Sequence, residues 1–133
     1  MVKSNSMLAA GGLLAGLGVA LGAFAAHGLK KVLSPYLIDV FNTGVQYQLI
    51  HALAILLCGV LLRTSLSAKS QKYFALAAIC FIIGIFCFSG SLYALAITGI
   101  KWFGPVTPLG GITFMLGWGL FVFAALQIKE VNQ

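Results

Sequence analysis

Four stretches of this sequence contain no Asp, Glu, Lys or Arg: Ser4–Leu29, Val40–Leu62, Tyr73–Ile100 and Trp102–Ile128. Each exceeds the roughly 20 residues that carry an α-helix across ~30 Å of hydrocarbon. A backbone N–H or C=O finds no water in that layer, so each run must close its own hydrogen bonds as a helix. Together the runs fill nearly all of the 133 residues. The expected fold is an all-α membrane protein, with residues 1–133 as a single integral membrane domain. Its architecture is a four-transmembrane-helix bundle with a short interfacial helix after the first span. The spans are expected at about 7–26, 44–62, 73–98 and 112–128.

Charged residues make up 8% of the chain, against about 25% in soluble domains. The net charge of +6 comes from cations scattered at the ends of the apolar runs, with no cluster longer than Lys30-Lys31. That distribution is a membrane topology signal and excludes nucleic acid as a partner. Cys58, Cys80 and Cys87 all lie inside apolar runs and form no CxxC pair. They read as small apolar packing residues.

The first span has a stripe of small residues, Gly11, Ala15, Gly18, Gly22 and Ala26, and a second stripe of Leu14, Leu17, Leu21 and Phe24. Small stripes let helix backbones approach closely, which is how membrane helices gain packing energy without a hydrophobic drive. The glycine stripe is expected to meet a neighbour and the leucine stripe to meet lipid. A rival reading takes Lys3, the apolar run and Ala23-Phe24-Ala25 as a secretory signal. The run is longer than a usual signal core, and glycine striping has no use in a discarded peptide.

After the first span, Ser34-Pro35 is an N-cap followed by the favoured first-turn proline. It predicts an interfacial helix, with continuity into the second span left open. In that span Tyr47, Gln48, His51, Ile55 and Cys58 share one face, while Gln46 points elsewhere. On the third span Phe81, Ile85, Phe88, Leu92 and Leu95 form an arc expected to face lipid, and Gly84 belongs to a small-residue arc. Gly99–Gly111 holds prolines and four glycines and is expected to be irregular. The fourth span carries Thr113, Gly117 and Ala124 on one face, with Trp118 within it and Glu130 at its exit.

With four crossings, Lys3, Arg63, Lys69, Lys72 and Lys129 fall on the side of the termini and Lys30, Lys31 and Lys101 on the other. The excess favours cytoplasmic termini in a cell inner membrane. His27, Tyr47, Gln48, His51, Ser89, Ser91, Tyr93 and Thr107 then fall in the outer half of the bundle, as the lining of a candidate polar pocket. Gly11, Gly18, Gly22, Gly84 and Gly117 are the candidate helix-packing residues.

Four motifs carry a family resemblance: GAFAAHGL at Gly22–Leu29, FNTGVQYQLIHALAILL at Phe41–Leu57, FSGSLYALAITG at Phe88–Gly99 and PVTPLGGITFMLGW at Pro105–Trp118. In this order they resemble the small four-helix inner-membrane family of bacterial YgdD and YwdK proteins, a family classed as a domain of unknown function with distant eukaryotic relatives. The resemblance implies a multi-pass membrane protein of unestablished activity. It supplies no catalytic residue and argues against signal cleavage. The family's first motif usually reads GAFGAHGL, and Ala25 departs from it.

The leading functional expectation is a non-enzymatic structural or accessory bundle in the lipid bilayer, alone, as a homo-oligomer or within a larger membrane complex. The alternative is a small-solute or proton transporter or binding protein built around His51, since ionisable groups at membrane depth are functional by default. An enzyme or a haem or quinone protein is disfavoured. Asp39 and Glu130 are the only acids, His27 and His51 differ in depth, and no nucleophile elbow or HExxH motif is present. No catalytic residue, metal or cofactor is expected.

Overall fold

The computed structural model describes residues 2–129; Glu130, expected at the exit of the last span, lies outside them. The elements in order are α1 (Ser4–His27), a 3-10 turn (Leu29–Lys31), α2 (Pro35–Leu61), α3 (Ala68–Gly84), a π turn (Ile85–Ser89), α4 (Gly90–Thr98), a 3-10 turn (Lys101–Phe103) and α5 (Val106–Leu126). α3, the π turn and α4 form one continuous span, Ala68–Thr98. Among the described residues, four helices are therefore long and apolar enough to cross a membrane.

Local chemistry sets the ends of these helices. Ser34 Oγ accepts a hydrogen bond from the Leu37 N–H at 3.3 Å, and Pro35 fills the first helical position. The helix that starts there runs unbroken to Leu61, so the interfacial segment forms the first turns of α2 itself. Ser67 caps α3 in the same way through the Ser70 N–H. Gly99 ends α4 at φ 69°, a left-handed conformation that closes its N–H on the Leu95 carbonyl.

The stretch expected to be irregular up to Gly111 is irregular only to Pro105, and α5 takes in Pro108, Gly110 and Gly111. Pro108 is tolerated because it is the third residue of the helix, where backbone N–H groups have no intrahelical partner to lose. Gly110 is required by contact: a Cβ there would overlap the backbone nitrogen of Phe88 in the π turn. The wide turn and the bare glycine together let two backbones touch.

α2 is the central element. α1 packs along it on one side, while α3, the π turn and α4 pack on another, and α5 lies along α3 and the π turn. Gly11 and Gly18 seat α1 on α2. A Cβ on Gly11 would stand 3.0 Å from the Leu56 backbone nitrogen, and one on Gly18 would stand 2.8 Å from the Leu49 side chain. Gly22 meets Val45, Gly84 receives the Phe114 ring, and Gly117 receives Phe81. Gly12 and Gly16 face open space.

The expected lipid faces are corrected at three positions, while Leu17 and Phe24 of the first-span stripe are exposed as expected. Leu14, placed on the lipid stripe of the first span, is buried, and so are Phe81 and Ile85 of the third. Ile83, Phe86 and Ile97 are exposed instead. The reason is physical: lipid tails are as apolar as leucine, so hydropathy does not sort the faces of a membrane helix. Fit between bulk and gap sorts them, and Phe81 fills the gap that Gly117 leaves. Ala25, the departure from the family motif, is fully buried beside Phe41, Val45 and Ala96.

Candidate functional site

α2 carries two polar side chains into the core three residues apart, and they point into different interfaces. Gln48 is a bridge: its Nε2 donates to the Leu14 carbonyl of α1 at 2.8 Å, and its Oε1 accepts from the Tyr93 hydroxyl of α4 at 2.7 Å. Tyr93 also packs on Phe41, with ring centroids 4.7 Å apart. Ser89 Oγ donates to the Gly44 carbonyl at 2.7 Å, tying the π turn to α2. Ser91 Oγ donates to the Phe88 carbonyl at 2.8 Å and lies 2.6 Å from Thr107 Oγ1. With the serine proton engaged, Thr107 is the donor between the two hydroxyls.

His51 faces α5. Its Nδ1 lies 2.7 Å from the Tyr47 carbonyl and its Nε2 lies 3.1 Å from Trp118 Nε1. An indole N–H can only donate. Nε2 is therefore the acceptor and Nδ1 carries the proton, a neutral imidazole with both nitrogens satisfied. Phe114 stacks on the ring at 3.6 Å between centroids and 10° between planes.

Beside this stack runs a groove of about 550 Å³ between α2 and α5, walled by Tyr47, His51, Phe88, Pro108, Phe114 and Trp118. Ile112 and Met115 line it too and are 51% and 67% exposed. It opens sideways through the flank of the bundle. The outward-opening polar pocket expected from the sequence is replaced by interhelical hydrogen bonds and a lateral, largely aromatic cleft.

The eight candidate pocket residues do not converge on one site. His27 is exposed and bonds only its own helix, at the Ala23 carbonyl. Gln48, Tyr93 and Ser89 join α1, α2 and the third span, while Ser91 and Thr107 join the third span to α5. Tyr47 and His51 border the groove. Counted from Val40, where the charge-free run begins, His51 lies roughly 16 Å along α2 at 1.5 Å per residue, near the middle of that run.

Three participants were missed from the sequence: Trp118, Phe114 and Ser70. Ser70 is fully buried and donates to the Ala124 carbonyl at 2.9 Å, a lock at the opposite end of the bundle. A signal for Trp118 existed. Tryptophan normally sits at the membrane interface, so one in mid-span needs a partner for its N–H. Every buried side-chain nitrogen and oxygen among the described residues has a hydrogen-bond partner. No group of three His, Cys, Asp or Glu among them could hold a metal ion.

Four apolar spans tied to one another by buried polar contacts define a small multi-pass membrane protein. The chain belongs to the uncharacterised UPF0382 (DUF423) family of membrane proteins. The family model described as "Protein of unknown function (DUF423)" matches residues 21–111. The chain is 38% identical over 112 residues to the UPF0382 inner membrane protein YgdD of Escherichia coli strain K12, covering 84% of this chain and 82% of that one. It is 40% identical over 117 residues to the UPF0382 membrane protein YwdK of Bacillus subtilis strain 168, with 88% and 93% covered. A UPF0382 membrane protein of Haemophilus influenzae is 39% identical over 114 residues, with 85% and 87% covered. No solved structure matches.

Proposed function

We propose that this protein is a non-enzymatic membrane bundle that works as a structural or accessory component, with both termini in the cytoplasm. The observation that carries the reading is that Gln48, Ser89, Ser91 and His51, polar side chains at depth, are engaged with other spans. Gln48 binds α1 and α4, Ser89 binds α2, Ser91 meets Thr107, and His51 meets Trp118. A side chain that moves a solute or proton needs a free lone pair or proton facing an aqueous path, and here both imidazole nitrogens are occupied. Such contacts contribute about 0.6 kcal/mol each, up to roughly 2, enough to set helix register. The cation excess on the terminal side supports the orientation.

The second reading, binding or transport of a small solute or a proton, is favoured by one observation: His51 borders the groove. Asp39, the sole acid among the described residues, is exposed near the start of α2. Proteoliposomes separate the readings. The accessory role predicts no saturable uptake and no proton flux above empty vesicles across a pH gradient. A flux abolished by His51→Ala in a chain that still folds overturns it. A carboxy-terminal fluorescent fusion that lights only when cytoplasmic tests the orientation.

A further inference from the structure

The groove between α2 and α5 exists because these helices meet through the rings of Tyr47, His51, Phe114 and Trp118 and do not approach backbone to backbone. At about 550 Å³ it falls within the roughly 300–1,000 Å³ typical of small-molecule pockets. None of its lining residues is charged, and its rim at Ile112 and Met115 faces the acyl layer. An occupant must therefore be neutral along its length and supplied by the bilayer.

The length of the groove narrows the choice. From Pro108 to Trp118 it follows α5 for roughly 15 Å at 1.5 Å per residue. One leaflet's share of a ~30 Å hydrocarbon layer is the same depth. The groove begins within a turn of the helix start at Val106 and stops near mid-span. Gly111 keeps its α5 wall low, and Met115 supplies an adaptable side chain. Beyond its upper end lie Lys101 and Trp102, the latter 85% exposed, a cation and an indole at headgroup level. His51 has no free ring nitrogen and presents the occupant with no hydrogen bond.

We propose that this groove holds one hydrocarbon chain of a membrane lipid, entering from the side with its headgroup at the Lys101 end. The Lys101 cation at that end points to an anionic phospholipid as the source of the chain, and an isoprenoid tail is the rival occupant that the test separates. The inference stands apart from the accessory role, since a transporting bundle could hold the same lipid.

The test uses the full chain purified in mild detergent, offered one equivalent of a saturated phosphatidylglycerol in one arm and of a long-chain isoprenoid quinone in the other. Native mass spectrometry then counts retained molecules. We expect one molecule retained in the phosphatidylglycerol arm and none in the quinone arm. Gly111→Phe fills the groove, because a Cβ at Gly111 meets Phe88 at an ordinary 3.9 Å. It should reduce retention by at least about tenfold. Gly119→Phe adds the same ring where a Cβ meets open space and should leave retention unchanged. No retention of the phosphatidylglycerol, retention of the quinone alone, or equal retention by Gly111→Phe, overturns the proposal. Should Gly111→Phe not fold, Trp118 fluorescence in a Trp102→Phe chain decides. Quenching by mid-chain brominated lipid must saturate well below the mole fraction that quenches through bulk contact; quenching that simply tracks bulk lipid overturns the proposal.

Discussion

Trp118 Nε1 donates to His51 Nε2 at 3.1 Å, joining residues 67 positions apart in the chain at the inner end of the lateral groove. The bond defines the imidazole tautomer, and Phe114 lies flat against the same ring. Removing the donor while keeping an aromatic ring isolates its contribution. Trp118→Phe should destabilise the fold by about 0.5–1 kcal/mol in detergent unfolding and shift the His51 ring-nitrogen resonances. Trp102→Phe should do neither, because Trp102 is almost wholly exposed. An unchanged His51 spectrum in Trp118→Phe contradicts the bond.

Among the described residues, Gln48 is the one side chain that bonds two other spans. Gln48→Leu should cost about 1–2 kcal/mol, and Tyr93→Phe about 0.6. In the double variant the Tyr93 change should add almost nothing, because its partner is already gone. Fully additive losses would show that the two residues act separately.

Gly110 and Gly111 are neighbours with opposite tolerances. A Cβ at Gly110 overlaps the Phe88 backbone, which cannot swing aside, whereas at Gly111 it makes an ordinary contact. Gly110→Ala should destabilise by about 1–3 kcal/mol. Gly111→Ala should be neutral or stabilising by up to about 1 kcal/mol through helix propensity. Comparable effects at the two positions would rule out the close approach of α5 to the π turn.

The glycines of α1 divide in the same manner. Gly11→Ala should loosen the α1–α2 pair because the Leu56 backbone stands in the way, whereas Gly12→Ala and Gly16→Ala meet nothing within 4 Å. Thermal stability in detergent should fall for the first and hold or rise for the other two. A fall for all three would mean that the outward glycines also bear on a helix.

Span number and several helix ends were legible in the sequence, because an apolar run of this length satisfies its backbone in hydrocarbon as a helix and because caps such as Ser34-Pro35 act locally. The starts were not, and α2, α3 and α5 begin at Pro35, Ala68 and Val106, ahead of the expected 44, 73 and 112. The sequence also picked out Gln48, His51, Ser89, Ser91, Tyr93 and Thr107 as the polar groups at depth, since each is conspicuous against an apolar background. Their partners were not legible. Gln48 to Leu14, Ser89 to Gly44 and His51 to Trp118 lie 34, 45 and 67 residues apart, and only the register of one helix against another brings them together. The faces of α3 were misread for the same reason. Hydropathy separates chain from water, but inside a bilayer both sides of a helix are equally oily. Which phenylalanine goes inward is then decided by which neighbour leaves a glycine-sized gap, a property of the assembled tertiary structure.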